Sequence, residues 1–434
     1  MSAGADPVFA ELRDIEGRIR CGDLDRAQSA LQALRLAAPN DARICLVGAM
    51  LAQARGSADQ EISALQQACA LMPRWFVPQL ELAKALSRLQ QHEAARTAAG
   101  HAVELAPDNL AVLGIATAVA NNMGDRAAAS THLRSAFALQ PDATPIRRAL
   151  ALSLSQQQLS GEAEAHWRAL LDQDPNDAHA LLWLGICLIA LGRHAEAVPL
   201  LQHARDAGGS NPSLEFNLAL ARGETPPEQP NEIVRELFDG YATRFDRSLV
   251  GGLKYRVPQI VAQTIIERGA SDVLDLGCGT GLLGLYLGVA HFAGTLIGTD
   301  LSQKMLDQAA IHGIYRELRC ADLREELART APAAFDVVAA NDVFVYVGDL
   351  TEIIPATLRV LRPGGALIFS CEAAAAHEAA LVLRPSRRYA HARESVEALC
   401  RNAGFAQVTF THLEQLRREA DRAIPGFIAV AEKP

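Results

Sequence analysis

The sequence predicts a chain in two parts: an all-α array of helix pairs, then an α/β domain built on a doubly wound, mostly parallel sheet. Three observations predict it. Prolines 39, 73, 107, 141 and 175 recur at a constant 34-residue step. Residues 273–281, Val-Leu-Asp-Leu-Gly-Cys-Gly-Thr-Gly, carry a short apolar strand into a glycine turn, and helical character resumes at Leu282. Further short apolar segments follow at the spacing of βα units, several of them ending in an acid or amide.

In the first part an alanine recurs twelve residues before four of the five prolines, at 27, 95, 129 and 163, and again at 197. Gly22, Gly56, Gly124 and Gly192 mark turns between the helices of a pair. Glu61 stands at one alanine position and Gln90 near one turn. A 34-residue period with small residues at helix crossings resembles tetratricopeptide repeats. Five repeats keep the terminal proline. A sixth, from about 178 to 209, keeps Leu184, Gly185, Ala195 and Ala197, ends on Gly209 and passes into a capping helix around Pro212–Ala221. Such arrays stack neighbours and leave a concave groove, so a protein or peptide partner is expected there, with self-association or scaffolding as the alternative.

The second part turns on the loop after its first strand. Glycines at 277, 279 and 281 let the main chain adopt open dihedrals and approach a ligand closely, and the following helix offers unpaired N–H groups. Gly279-x-Gly281-x-x-Gly284 is also a formal dinucleotide fingerprint. Asp275 separates the two readings: its charge would face a diphosphate unfavourably but suits the ammonium or sulfonium of S-adenosylmethionine. The next segments are Thr295–Asp300, whose terminal acid can accept from both ribose hydroxyls, then Tyr315–Arg319, followed by Asp322, which could accept from the adenine amino group. Phe335–Asp342 forms a fourth strand, a helix spans about Leu350–Leu361, and Gly364–Ser370 makes a fifth strand. Asp300 could equally cap the helix beginning at Leu301.

Taken together, these motifs resemble class I S-adenosylmethionine-dependent methyltransferases over nearly the whole of the second part. The resemblance implies that Asp275, Gly277, Cys278, Gly279 and Gly281 form the cofactor loop, that Asp300 contacts the ribose and Asp322 the adenine, that Asn341 lies near the methionine moiety, and that Leu301, Leu323 and Tyr241 also bind the cofactor. It also implies a seven-stranded sheet with an antiparallel last strand, matched here by Gln407–His412 and Gly426–Val430. The expected architecture is therefore a tetratricopeptide-repeat solenoid over 1–222, a Pro-rich linker over 223–231 and a Rossmann-like methyltransferase domain over 232–434.

Asn231 is placed to cap a helix running from Glu232 to about Asp246. That helix and the following Leu253–Pro258 resemble the entrance segment of a bacterial methyltransferase group with N-terminal tetratricopeptide repeats. Tyr241 and Phe245 are one turn apart and could form one face of a lid, or the helix could simply pack on the sheet. For the acceptor side the candidates are Tyr346, Tyr389 and His391, the last being the one titratable base among them or else a surface histidine at a helix start.

Composition agrees with two domains: 434 residues, half of them apolar and 5% aromatic. The net charge is −9 and only four of the 41 basic residues are lysine, with no basic stripe, so nucleic acid is not the expected substrate. Eight scattered cysteines without a C-x-x-C pair point away from a zinc site or disulfide framework and toward a reducing cytoplasm. Leu181–Leu191, the longest apolar run, is too short to cross a bilayer, and the N-terminus has no signal-peptide pattern. The functional expectation is methyl transfer to a protein or carrier-borne acceptor recruited by the repeats. The alternatives are a free metabolite acceptor, or an adaptor that only senses the cofactor.

Overall fold

The computed structural model describes residues 6–241, 256–419 and 422–434. The chain falls into two compact units, Met1–Gly208 and Gly209–Pro434.

In the first unit the described residues form six helix pairs: α1 (Pro7–Arg20) with α2 (Leu24–Ala37), α3 (Ala42–Ala54) with α4 (Ala58–Leu71), α5 (Phe76–Arg88) with α6 (His92–Leu105), α7 (Leu110–Asn122) with α8 (Arg126–Leu139), α9 (Thr144–Gln156) with α10 (Ser160–Gln173), and α11 (Ala178–Ala190) with α12 (His194–Gly208). Each of the five periodic prolines sits two residues beyond the second helix of a pair, where a residue without an N–H cannot continue the helix. The turn inside every pair holds one residue in the left-handed region, at 22, 56, 90, 124, 158 and 192. Four of these are the predicted glycines; Gln90 and Gln158 adopt the same conformation at φ 58° and 62°.

The recurrent alanines at 27, 95, 129, 163 and 197 are wholly buried, which is what close helix crossing requires. Glu61, at the same register, is also buried and ion-pairs with Arg88 from the next pair, 27 residues on. The period therefore fixes backbone placement, while the side chain at a given register is free to vary if its chemistry is satisfied.

The second unit begins with α13 (Pro212–Ala221), α14 (Asn231–Tyr241) and α15 (Val257–Glu267). It continues through β1 (Asp272–Leu276), α16 (Leu282–Val289), β2 (Thr295–Asp300), α17 (Gln303–Ile311), β3 (Glu317–Cys320), α18 (Leu323–Arg329), β4 (Phe335–Ala340), α19 (Ile353–Val360) and β5 (Leu361–Ala373). Last come β6 (Leu381–Leu383), β7 (Tyr389–His391), α20 (Arg393–Ala403), β8 (Gln407–Glu419) and β9 (Arg422–Glu432).

The main run of the sheet is β3-β2-β1-β4-β5-β9-β8. The first five strands are parallel, and β9 is inserted antiparallel between β5 and β8. That is the expected arrangement with two additions: β6 and β7 form a short hairpin, and β7 pairs with the far end of β5 at Glu372 and Ala373. The central strands bury both faces. Leu274, Leu276, Val338, Ala340, Leu367 and Phe369 join α19 and α20 in one core, while Val273, Val337, Ala339, Ala366 and Ile368 join α15 and α16 in the other. Alternate residues face alternate layers, so these strands read as unbroken apolar runs.

The Pro-rich segment 223–231 is strapped to the second unit rather than standing free as a linker. Pro227 O accepts from Asp349 N at 2.7 Å, Pro226 O accepts from the Tyr389 hydroxyl at 2.8 Å, and Gln229 N donates to Tyr346 O at 3.2 Å. Prolines offer carbonyls and no competing N–H, so their acceptors are available to donors of the neighbouring loops. Among the described residues no helix is long and apolar enough to cross a membrane.

Candidate functional site

The carboxyl ends of β1, β2, β3 and β4 open onto one cavity, lined by Asp275, Gly277, Cys278, Gly279, Asp300, Leu301, Asp322, Leu323, Asn341 and Tyr346 among others. Nine residues that the sequence assigned to a cofactor are thereby gathered from four strand ends, together with one acceptor-side candidate. The loop between β1 and α16 takes φ values of 65°, 55° and 85° at Gly277, Gly279 and Gly281. A Cβ at Gly277 would stand 2.5 Å from Val343 Cγ2, so that position needs glycine both for its dihedral and for its space. Gly281 caps α16 and is not part of the cavity wall.

The loop is fastened to the end of β2. Cys278 N donates to Thr299 O at 2.9 Å, and Gly279 N donates to Asp300 Oδ2 at 2.9 Å. The other carboxylate oxygen of Asp300 accepts from Ser302 N at 2.9 Å. The cap of α17 is Ser302, whose hydroxyl accepts from Met305 N, so Asp300 shapes the loop instead of capping the helix. Burial raises its carboxyl above the usual range, and the backbone donors oppose that shift. The capping role falls on Asp322, which accepts from Arg324 N at 2.7 Å at the start of α18. Its second oxygen accepts from the Asn231 amide at 3.1 Å. Asn231 is itself the first residue of α14, and its side chain bonds Asp322 in place of the expected cap.

Asp275 is buried, and burial pushes its carboxyl up to about 7, with the nearby Asp300 carboxylate adding to the rise. One oxygen accepts from the Tyr315 hydroxyl at 2.7 Å, which favours the ionised form. The other, Oδ1, is buried without a partner, and so is Oδ1 of Asn341. The negative charge that sequence reasoning placed here is thus only partly present at neutral pH. A cationic donor arriving at Oδ1 would complete it.

Tyr315 is the residue that sequence reasoning missed, having read it only as the start of a strand. Its ring fills space left by three glycines: a Cβ at Gly284 would lie 2.4 Å from it, one at Gly298 2.8 Å and one at Gly281 3.1 Å. Gly284, the last glycine of the dinucleotide-like pattern, is therefore a seat for this ring, and its N–H donates to the Tyr315 hydroxyl at 3.2 Å. The available signal was glycine at three positions that have no turn to make or only one. Phe238 was missed in the same way. It lines the cavity from α14 and meets Tyr346 edge-on with ring centroids 5.3 Å apart.

The remaining acceptor candidates do not reach the cavity. Tyr389 is buried with its hydroxyl on Pro226 O, and His391 Nε2 lies 2.9 Å from Gly348 O beside a different hollow. His391 is buried in the short strand β7 and so is not a surface histidine; burial lowers its affinity for a proton. Both are corrected to structural roles, because β7 docks against β5 and turns them inward. The lid reading rested on the Tyr241 side chain and Phe245, which lie outside the described residues, as do the rest of the expected helix beyond 241 and residues 253–255 of the entrance segment. Among the described residues no cluster of three or more histidine, cysteine or acidic side chains is arranged to hold a metal ion.

A methyltransferase-domain profile matches residues 274–369, and tetratricopeptide-repeat profiles match residues 79–109 and 148–212. The chain is similar to the ubiquinone biosynthesis O-methyltransferase of Paracidovorax citrulli, 35% identical over 106 residues that make up 23% of this chain and 42% of that protein. It is also similar to that of Sodalis glossinidius, 31% identical over 150 residues, 32% of this chain and 58% of that protein. The chain spans about half the length of these curated relatives. Among solved structures, it is similar to magnesium protoporphyrin IX methyltransferase from Synechocystis PCC 6803 (TM-score 0.36, 20% identity, covering 48% of this chain and 100% of that one). Another similar structure is the tetratricopeptide-repeat protein YrrB (TM-score 0.39, 16% identity, covering 43% of this chain and 96% of that one). This chain therefore carries a methyltransferase domain of α/β fold, preceded in sequence by tetratricopeptide repeats.

Proposed function

We propose that the second unit binds S-adenosylmethionine and transfers its methyl group, and that the repeats recruit a protein or carrier-borne acceptor. One observation carries the cofactor assignment. Two buried, unpartnered acceptor atoms, Asp275 Oδ1 and Asn341 Oδ1, belong to residues that line the same cavity as the glycine loop. Buried acceptors without donors cost about 1–3 kcal/mol each, so they mark where a donor-rich ligand belongs. The ammonium of an amino-acid moiety satisfies both the hydrogen bonding and the partial charge on Asp275. A dinucleotide diphosphate brings acceptors to acceptors and would be repelled.

In this reading Gly277 and Gly279 admit the ligand to the backbone, Asp300 holds the loop in shape and offers its oxygens to the ribose, and Asp322 with Leu323 borders the adenine. Bound, the cofactor supplies a methyl group on an already activated sulfonium. The protein's contribution is then to align an acceptor and to exclude water.

Calorimetry with S-adenosylmethionine and, separately, NAD tests the assignment. Binding of the first and not the second is expected, with Asp275→Asn weakening it at least tenfold. Binding of NAD alone would overturn it. A second reading, a free small-molecule acceptor, is favoured by the names of the curated relatives, which act in ubiquinone biosynthesis. Counting labelled methyl groups in the macromolecular and low-molecular-mass pools of a native extract separates the two.

A further inference from the structure

Helix α16 begins at Leu282 behind Gly281, a cap residue with no side chain to answer the first amides of the helix. One of them is answered from 31 residues on. Gly284 N donates to the Tyr315 hydroxyl at 3.2 Å, and that hydroxyl donates to Asp275 Oδ2 at 2.7 Å. Proton counting fixes the direction: an amide can only give, so the hydroxyl receives from Gly284 and has a single proton to pass on, which goes to Oδ2. Burial and the neighbouring Asp275 carboxylate raise the Tyr315 hydroxyl well above its ordinary range, so it keeps the proton that it donates. The ring is wedged among Gly281, Gly284 and Gly298, where any added Cβ would come within 3.1 Å of it.

With Oδ2 committed as an acceptor, Asp275 can take up a proton only at Oδ1. That is the atom without a partner. A proton and a ligand ammonium therefore compete for one oxygen, and whatever keeps the carboxylate charged favours the ligand. The described groups that act on it come from several elements: Tyr315 from the connection between α17 and β3, Asp300 from the end of β2, and Cys278 in the loop, which burial keeps a neutral thiol. On the β4 side Asn341 carries no charge. Burial and Asp300 favour the neutral acid, and Tyr315 opposes them. Elsewhere on the cavity wall Arg324 pairs with Glu228, and Arg417 lies 3.4 Å from Asp342 Oδ1. The amide that Tyr315 answers also belongs to the last glycine of the dinucleotide-like pattern, so this donor is directed at Asp275 and is not offered to a phosphate.

We propose that Tyr315 is a positioning residue for the cofactor: it relays the positive end of α16 to Asp275 Oδ2, which holds the carboxylate ionised and leaves Oδ1 for the cofactor's ammonium. This rests on the cofactor reading above. Each hydrogen bond of the chain polarises the next, so the amide strengthens the hydroxyl as a donor. Removing the hydroxyl removes the relay and leaves burial and Asp300 to protonate Asp275.

The test titrates the full chain and its Tyr315→Phe variant with S-adenosylmethionine by calorimetry at pH 6, 7, 8 and 9. The ratio of the two affinities at each pH cancels the ionisation of the ligand's own amine. Loss of one hydrogen bond to a carboxylate moves its midpoint up by about one pH unit, so the variant is expected to bind about tenfold more weakly at pH 6 and nearly as well as the parent at pH 9. The affinity for 5′-methylthioadenosine, which keeps adenine, ribose and sulfur but lacks the amino-acid moiety, is expected to be unchanged by the variant. A ratio that stays the same at every pH overturns the proposal, because a tyrosine that only packs the loop would weaken binding uniformly. Equal losses for the two ligands overturn it as well. In wild-type protein labelled with 15N-glycine and free of ligand, the Gly284 amide resonance is expected to titrate near pH 7, since the charge on Asp275 reaches it through the hydroxyl. A resonance that stays flat from pH 5 to 9 overturns the relay without any variant, so the proposal stands exposed even if Tyr315→Phe misfolds. Failure of the wild type to bind S-adenosylmethionine overturns the cofactor reading instead, and the amide titration still decides the relay.

Discussion

The turn glycines of the repeats and the glycines around the first two strands of the α/β unit look alike in sequence but answer to different constraints. At Gly22, Gly56, Gly124 and Gly192 an added Cβ would meet nothing within 4 Å. Only the left-handed dihedral speaks for glycine there, and Gln90 and Gln158 accept that strain at the equivalent positions. At Gly277, Gly284 and Gly298 an added Cβ would collide with Val343 or Tyr315 at 2.4–2.8 Å. Six copies of one turn tolerate a poor residue because neighbouring helices carry the packing. A single site that seats one tyrosine against one aspartate has no such reserve.

The largest expected effect tests this contrast directly. Gly298→Ala should push the Tyr315 ring off Asp275, destabilise the second unit by about 1–3 kcal/mol and reduce cofactor affinity at least tenfold. Gly124→Ala should cost only about 1 kcal/mol of backbone strain and leave cofactor binding intact. Thermal melts with calorimetry on both variants check the pair, and equal losses would break the comparison.

Next in size is the pH response of Asp275. Its folded value near 7 lies above the ordinary carboxylate value of 3.8, so the folded chain binds more protons than the unfolded chain between those limits. This group's contribution to stability therefore falls as pH rises from about 4 to 7 and is flat outside that window. A cationic ligand needs the ionised form, so affinity for S-adenosylmethionine should drop roughly tenfold per unit below pH 7. Titrations at pH 6, 7 and 8 read the slope, and Asp275→Asn should remove it.

A third prediction concerns the buried carboxylate of the repeats. Arg88→Ala leaves Glu61 inside without its partner and should cost about 2 kcal/mol. Glu61→Ala, which restores the recurrent small residue, should cost far less or stabilise. Denaturant midpoints for the two variants and the double mutant decide whether the ion pair or the small side chain is what that register requires. The smallest effect is a gain: Gln90→Gly and Gln158→Gly should each stabilise by about 0.5–1 kcal/mol by relieving a left-handed non-glycine residue. No gain at either site would mean that the glutamine side chains supply contacts that offset the strain.

By itself the sequence determined whatever repeats or is local. The 34-residue period placed the helix pairs, their turns and the prolines two residues past each second helix. Apolar strands alternating with helices, and the loop glycines at 277 and 279, located the cavity, because strand ends in a doubly wound sheet converge by topology. Tertiary structure alone decided what depends on residues far apart in the chain. Tyr315 reaches Asp275 across 40 positions and Phe238 reaches Tyr346 across more than a hundred, meetings that leave no periodic trace. It turned Tyr389 and His391 inward by adding a hairpin that no strong strand signal announced, and it bound the Pro-rich segment to the domain through carbonyls that a sequence reads as loop. It also set the ionisation of Asp275, since a carboxyl's charge depends on how much water and how many donors surround it, and neither is written in the residue's own neighbourhood.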